Sequence, residues 1–316
     1  MNAIQFDRHG GPEVLQFRDI ERPTPSDGEV LVRVHAAGLN YIDTYHRSGY
    51  YPVPSLPSGL GVEGAGVVEG TNRRVAFVVP SPGTYQQYRT LPVSRLVDLP
   101  DDIDFEHAAA MMLKGMTARY LLRQTFPVGA NHTILVHAAA GGVGLILCQW
   151  ASYLGAKVIG TVGSKEKARL AADNGCTYPI LYREEDVVER VKEITRGERA
   201  DVVYDSVGKD TFEKSLQCLK PRGIMVTFGQ SSGAITSFDP VLLSRHGSLF
   251  LTRPTLFHYV AEREELEENT RELFDVVREG RVSIPVRQRF PLSRAAEAHR
   301  ALESRSTTGS TVLVMD

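Results

Sequence analysis

Cysteine is scarce in this chain of 316 residues: Cys148, Cys176 and Cys218 lie far apart and form no C-x-x-C spacing. That argues against a disulfide framework and favours a reducing, cytoplasmic compartment. An excess of one charge is also missing. Lys and Arg total 36 against 38 Asp and Glu, a net charge of -2, so neither nucleic acid nor an anionic membrane has an electrostatic footprint to meet. No apolar run approaches the roughly 20 residues that span a bilayer. The N-terminal MNAIQFDRHGGPEV carries charge where a signal peptide needs its apolar core. Repeats and low-complexity linkers are absent, and the sequon Asn131-His132-Thr133 is without consequence in a cytosolic chain. What remains is 42% hydrophobic and 23% charged, the composition of a soluble globular protein long enough for about two domains.

The first hundred residues alternate short β-type runs (EVLVRVHAAGL, GAGVVEG, RRVAFVV, TYQQYRTLP) with turn signals such as HGGPE, PTPSDGE and SPGTY. Near Phe105 the apolar spacing turns helical, in FEHAAAMMLKGMTARYLLRQT. From Thr133 strand-like runs (TILVHAA, KVIGTVG, DVVYDSVG, GIMVTFG, SLFLTRP) alternate with helix-like ones, which predicts a parallel sheet with helices on both faces. The tail after a long helical stretch is β-rich again. The economical architecture is a doubly wound α/β domain, residues 118–256, inserted in a β-rich domain made of residues 1–117 and 257–316.

LVHAAAGGVGLILCQWA (135–151) follows a strand and opens a helix, the context a dinucleotide fingerprint requires. In G-x-G-x-x-G, Ala139 takes the first slot, Gly141 the second and Gly144 the third. The second glycine lets backbone approach a pyrophosphate and the third lets the helix pack on the strand. The first serves the tight turn, where alanine is the mildest departure. Amides of Ala140, Gly141, Gly142, Val143 and Gly144 would then meet the phosphates at the helix start. At the end of the second strand, NAD enzymes place an Asp or Glu on the ribose. Here Gly163 and Ser164 are followed by Lys165 and Lys167. A missing carboxylate and nearby ammonium groups favour a 2′-phosphate, hence NADPH, with Lys167 as its reader.

GLNYIDTYHRSGYYPVPSLPSGLGVEGAGVV, HAAAGGVGLILCQWA, ADVVYDSVG and ESRSTTGS together resemble the zeta-crystallin-like quinone oxidoreductases, a zinc-free branch of the medium-chain dehydrogenase/reductase superfamily. The resemblance covers nearly the whole chain. It implies a GroES-like catalytic domain, a Rossmann domain, NADPH, reduction of quinones, and a homodimer joined through Rossmann edge strands, with SLFLTRP as the edge. Zinc-dependent relatives place a ligand cysteine where Asn40 stands, and a histidine in G-H-E-G-x-G where GVEGAG has Val62. Valine cannot ligate zinc, and His46 alone makes no site, so it reads as a surface or cleft residue.

The resemblance places Asn40 and Tyr45 beside the nicotinamide, to orient its amide or the quinone carbonyl, with Tyr51 offering stacking area at the cleft entrance. It assigns to the cofactor Thr117 in KGMT, Tyr182 with Lys167 at the adenosine end, Ser206 and Gly208 in DSVG, Phe228, Ser231 and Ser232 in FGQSSG, Arg253 in TRP and Arg305 in ESRSTTGS. One departure stands out. After GAGVVEG the family has about ten more residues, including G-D-R-V, whereas TNRRVAF follows here at once, a deletion that a surface loop tolerates.

Three other readings compete. GQSSG (229–233) matches G-x-S-x-G, but a hydrolase elbow needs a helix directly after its serine, and AITSFDPVLL gives none. An NADPH-dependent alkenal or enone reductase would carry the same cofactor residues. A non-catalytic NADPH-binding role, as a lens-type structural or RNA-binding protein, is known in this branch, without support from the charge balance.

Overall fold

The computed structural model describes residues 1–315. The chain divides into two compact units. The first comprises residues 1–116, 259–278 and 284–316, and the second residues 117–258 and 279–283.

The first unit begins with strands β1 (Asn2–Phe6), β2 (Gln16–Asp19) and β3 (Glu29–Leu39), helix α1 (Tyr41–Ser48), and strands β4 (Ser58–Gly59), β5 (Glu63–Val68), β6 (Arg74–Val78), β7 (Tyr88–Pro92) and β8 (Leu96–Asp98). Helix α2 (Phe105–Tyr120) carries the chain towards the second unit and continues as a π-helical turn, Leu121–Thr125. The long β3 is the spine: β5, β7 and the last strand of the chain all pair with it antiparallel. Val32 and Val34 of β3 pack with Val68, Val75, Phe77, Leu91 and Leu96, the inward-facing residues of a curled sheet. The β5–β6 connection is tight. Val68 N donates to Arg73 O at 2.9 Å and Thr71 N to Val68 O at 3.1 Å, so the five residues 69–73 are the whole connection.

The second unit alternates strand and helix: β9 (Thr133–Val136), α3 (Gly142–Tyr153), β10 (Lys157–Val162), α4 (Lys165–Asp173), β11 (Tyr178–Leu181), α5 (Val187–Ile194), β12 (Ala200–Asp205), α6 (Phe212–Gln217), β13 (Leu219–Thr227), α7 (Val241–Arg245) and β14 (Phe250–Thr252). The six strands form one sheet in the order β11-β10-β9-β12-β13-β14, every pair parallel. The order reverses between β9 and β12, the switch point at which a doubly wound sheet opens a crevice beyond its strand C-termini. Strand β12 is buried at every position, as a strand covered on both faces must be. Helix α3 buries Leu145, Ile146, Leu147, Cys148, Trp150 and Ala151, more than one stripe, so it lies inside the unit rather than on it. Strand β11 is absent from the sequence reading: four residues including Pro179 give a weak signal, and an edge strand is where proline is tolerated.

The chain closes with α8 (Leu256–Tyr259), α9 (Arg263–Arg278), β15 (Val286–Pro291), α10 (Ala295–Glu303) and β16 (Ser310–Val314). The alternation is therefore α/β, a Rossmann-type parallel sheet inserted in a β-rich GroES-like framework. Among the described residues no helix is long and apolar enough to cross a membrane.

Candidate functional site

In the second unit the candidate site is built mainly from backbone. Between β9 and α3 the left-handed residue of the turn is Ala138, at φ 54°, not the Ala139 of the first fingerprint slot. Ala139 is buried and donates its N–H to Thr161 O at 3.1 Å, while Gly141 N closes the turn on Ala138 O at 2.8 Å. Ala139 has no need of glycine's freedom, which explains why the slot accepts alanine. A Cβ added to Gly144 would stand 2.3 Å from Ala138 O, and one on Gly141 3.1 Å from the same atom. These two positions admit no larger residue without displacing backbone. Gly141 caps α3 in an extended conformation with no side-chain cap hydrogen bond. The amides of Gly142, Val143 and Gly144 thus open a helix whose positive dipole end has no internal anion, and Ala140 precedes them.

The next strand end holds the second group. Gly163 follows β10, and Ser164 caps α4 by accepting from Lys167 N at 3.3 Å. Tyr182, after β11, donates its N–H to Val162 O at 3.2 Å, and its hydroxyl would lie 2.9 Å from a Cβ on Gly163. Gly163, Ser164, Lys167 and Tyr182 therefore sit together at the C-terminal end of β10.

A third group gathers beyond β12 and β13. Ser231 N donates to Ser206 O at 3.2 Å, Ser232 N to Val207 O at 2.9 Å and Phe228 N to Asp205 O at 2.8 Å. The Arg253 guanidinium reaches Gly229 O at 2.9 Å and Gln230 Oε1 at 3.2 Å, tying the end of β14 to the same loops. Gly208 turns the chain at φ 90°. No helix follows Ser231 until Val241, so the nucleophile-elbow geometry is absent. Thr117 is buried near the end of α2 as the first residue of this unit.

Sequence reasoning missed what braces these loops. Buried Asp205 accepts Val207 N and Gly208 N on Oδ1, at 2.7 and 3.1 Å, and Thr211 Oγ1 and Ser215 Oγ on Oδ2, at 2.7 and 3.2 Å. His137 links Thr161 Oγ1 and Ser215 Oγ, each at 2.9 Å, and burial holds its pKa below the ordinary histidine value. The signal lay in the sequence: Asp205 stands in the DSVG run and His137 opens HAAAGGVG.

In the first unit the candidate site is built from side chains. Asn40 caps α1, and its N–H donates to Asp43 Oδ2 at 2.8 Å. Its Nδ2 donates to Glu63 Oε1 at 2.6 Å. Glu63 is fully buried and also accepts Lys114 Nζ at 3.0 Å and Leu113 N at 2.6 Å. Tyr85 Oη donates to Asp43 Oδ2 at 2.8 Å. Burial, reinforced by the Glu63 charge and opposed by these hydrogen bonds and by Lys114, pushes the Asp43 carboxyl up to about 7.

Tyr45 and Tyr51 form a separate aromatic patch. Their rings meet edge to face at 5.2 Å between centroids, with Tyr50 at 5.9 Å from Tyr45. His46 is buried against Tyr51 and its Nδ1 has no partner, so it is not the surface residue that was one of the two sequence readings. The cause is the helical period, which turns His46 inward while Tyr45 stays half-buried. Arg47, also buried, holds α1 to α10 through Glu303 at 2.6 Å and His299 Nδ1 at 2.8 Å. Arg305 follows α10 in a left-handed turn, φ 58°.

Comparison with known proteins follows this geometry. Residues 142–275 match the family model described as zinc-binding dehydrogenase, and residues 26–101 that of the alcohol dehydrogenase GroES-like domain. The chain is 52% identical to the quinone oxidoreductase of Pseudomonas aeruginosa, with 98% of each chain covered. It is 44% identical to the 2-haloacrylate reductase of a Burkholderia species, over 99% of this chain and 98% of that one. The crystal structure of Escherichia coli quinone oxidoreductase complexed with NADPH superposes with a TM-score of 0.97 at 49% identity, covering 99% of this chain and 100% of the other. The zinc in the first family description finds no donor set here. Val62 is aliphatic, Asn40 donates its Nδ2 to Glu63 Oε1, and among the described residues no group of three His, Cys, Asp or Glu is placed to hold a metal ion.

Proposed function

Because this chain belongs to the quinone oxidoreductase family, we propose that it is an NADPH:quinone oxidoreductase working without a metal. The single observation that carries the reading is the β9–α3 turn. Its close-packed Gly141 and Gly144 and its uncapped amides have the shape and polarity of a pyrophosphate cradle. When bound, NADPH supplies the reducing equivalents, and two-electron reduction of a quinone consumes one proton and yields hydroquinone and NADP⁺.

The chain's own residues bind and orient. In this reading the domain of residues 118–256 holds the cofactor: Ala140, Gly141, Gly142, Val143 and Gly144 face its phosphates, and Gly163, Ser164, Lys167 and Tyr182 its adenosine end. Thr117, Ser206, Phe228, Ser231 and Arg253 line its remaining length, and Arg305 of the tail reaches its phosphates. Asn40 and Tyr45, in the domain of residues 1–117 and 257–316, orient the nicotinamide and the quinone carbonyl, with Tyr51 as stacking area. An electron-poor, planar acceptor needs no Lewis acid, which accords with Val62 and Asn40 in the ligand slots.

The protein is proposed to be cytoplasmic and dimeric through β14. That short edge strand leaves Phe250 60% exposed and one row of backbone groups open to pairing; sedimentation equilibrium tests this.

A second reading is favoured by the 2-haloacrylate reductase at 44% identity: reduction of a conjugated C=C bond on the same scaffold. Purified protein is expected to oxidise NADPH with 1,4-benzoquinone or 1,2-naphthoquinone, unaffected by EDTA. A much higher kcat/KM for 2-alkenals than for any quinone would overturn the first reading in favour of the second. Tight NADPH binding without turnover of either class would sink both.

A further inference from the structure

We propose that Glu63 is a positioning residue for the reduction, acting through Asn40. The inference rests on the reading that Asn40 faces the nicotinamide or the acceptor carbonyl. Asn40 follows the last residue of β3, and Glu63 begins β5, the strand that pairs with β3 through Ala37 and Gly64. The ladder thus brings the two side chains together, and Asn40 Nδ2 donates to Glu63 Oε1 at 2.6 Å. A carboxamide has two N–H hydrogens on one side and an acceptor oxygen on the other. An ionised carboxylate, which only accepts, decides which end points where. Glu63 takes one hydrogen and leaves the second to hold a carbonyl in a fixed direction.

Glu63 is itself held from several sides. It is fully buried, and Lys114 Nζ at 3.0 Å provides the counter-charge that a buried carboxylate needs. Leu113 N–H fixes the other oxygen at 2.6 Å. The approach depends on Gly38, where a Cβ would stand 2.1 Å from Glu63 Oε1. Three donors on one carboxylate, with a glycine opposite to admit it, make a rigid mount. Packing alone would be served as well by an apolar pair of the same volume. The polar pair does what an apolar one cannot, which is to orient an amide.

The test replaces the ion pair as a unit, so that no buried charge is left alone. E63L/K114M removes both the charges and the acceptor for Asn40, whereas E63Q/K114M removes the charges and keeps an acceptor oxygen. The first readout is the side-chain amide signal of Asn40 in ¹⁵N-asparagine-labelled protein without cofactor, assigned by its loss in N40A. It should shift in E63L/K114M and return towards its original position in E63Q/K114M. The second readout is kcat with 1,4-benzoquinone at saturating NADPH. E63L/K114M is expected to lose about as much as N40A, roughly tenfold or more on the scale of small misplacements in active sites. Adding N40A to it should cost nothing further, and E63Q/K114M should recover most of the loss.

An unmoved amide signal in E63L/K114M, or a full additional loss on adding N40A, overturns the proposal and leaves Glu63 a purely structural residue. If N40A alone keeps its kcat, the underlying placement of Asn40 fails and the proposal falls with it, even where the amide signal shifts as expected.

Discussion

In the proposed reading, the two units present polar groups to a small molecule by opposite means. In the second unit the polar groups at the candidate cofactor face are largely main-chain ones, at the C-terminal ends of parallel strands and the start of α3, braced beneath by Asp205 and His137. In the first unit the candidate face rests on side chains: Asn40 on Glu63, Glu63 on Lys114, Asp43 on Tyr85. Main-chain geometry tolerates few residue types but many neighbours. A side-chain network tolerates neither, because each buried polar atom left unpaired costs the full desolvation of that group. The first design breaks by added volume, the second by lost partners or altered charge.

The largest effect is expected where volume is added to the main-chain face. Gly144→Val adds Cγ atoms beyond a Cβ that would already stand 2.3 Å from Ala138 O, so the turn must open. NADPH affinity, read by cofactor fluorescence, should fall by at least about 100-fold, since both close approach and helix packing depend on this position. Cofactor affinity within a few-fold of the parent would show that the turn does not hold the pyrophosphate.

The side-chain face should instead reveal itself through pH. Asp43 titrates near 7 in the folded protein against a reference value of 3.8. The folded state therefore keeps a proton, between about pH 4 and pH 7, that the unfolded chain has released. Its contribution to stability is greatest below that window and declines as pH rises through it, by an amount on the order of a few kcal/mol at about 1.4 kcal/mol per unit. Asp43→Asn keeps one acceptor oxygen for Tyr85 Oη and Asn40 N–H and, like the protonated acid, turns a donor towards the unpaired Oδ1 position. It cannot titrate. Tm measured from about pH 5 to pH 8 should fall less in Asp43→Asn than in the parent, and parallel curves would remove Asp43 as the cause.

This contrast also explains what the sequence made legible. Alternating apolar runs make β9, β10, β12 and β13 legible because these inner strands are largely buried, and the longer helices follow their own period; β11, four residues with Pro179 at an edge, and the five-residue α7 escaped. The glycine fingerprint is readable because backbone approach restricts residue type at fixed spacing. The Glu63 network has no such spacing. Asn40, Glu63 and Lys114 are separated by 23 and 51 positions, and only strand pairing between β3 and β5 and the seating of α2 bring them together. Asp43 likewise looks like an ordinary helix-start carboxylate until Tyr85, 42 positions on, is found against it. Motifs carry local main-chain constraints, whereas buried side-chain networks belong to the tertiary fold.

Lys167 lies between these extremes and gives the smallest effect. Its backbone N–H is spent on the Ser164 cap at 3.3 Å, in the first turn of α4, which follows the C-terminal end of β10. Gly163 and Ser164 put no carboxylate at that strand end, so a 2′-phosphate meets no like charge in them, and an ammonium there adds attraction. Lys167→Ala leaves the cap intact, because the cap uses main chain and Ser164 Oγ. NADPH affinity should weaken by roughly 1–3 kcal/mol, the scale of a lost charged hydrogen bond, while NADH affinity changes little. Titrating both cofactors against the variant separates the two possible roles of the residue. Selective loss of NADPH makes Lys167 a side-chain reader set on a main-chain face, and equal loss of both cofactors makes it part of the α4 surface.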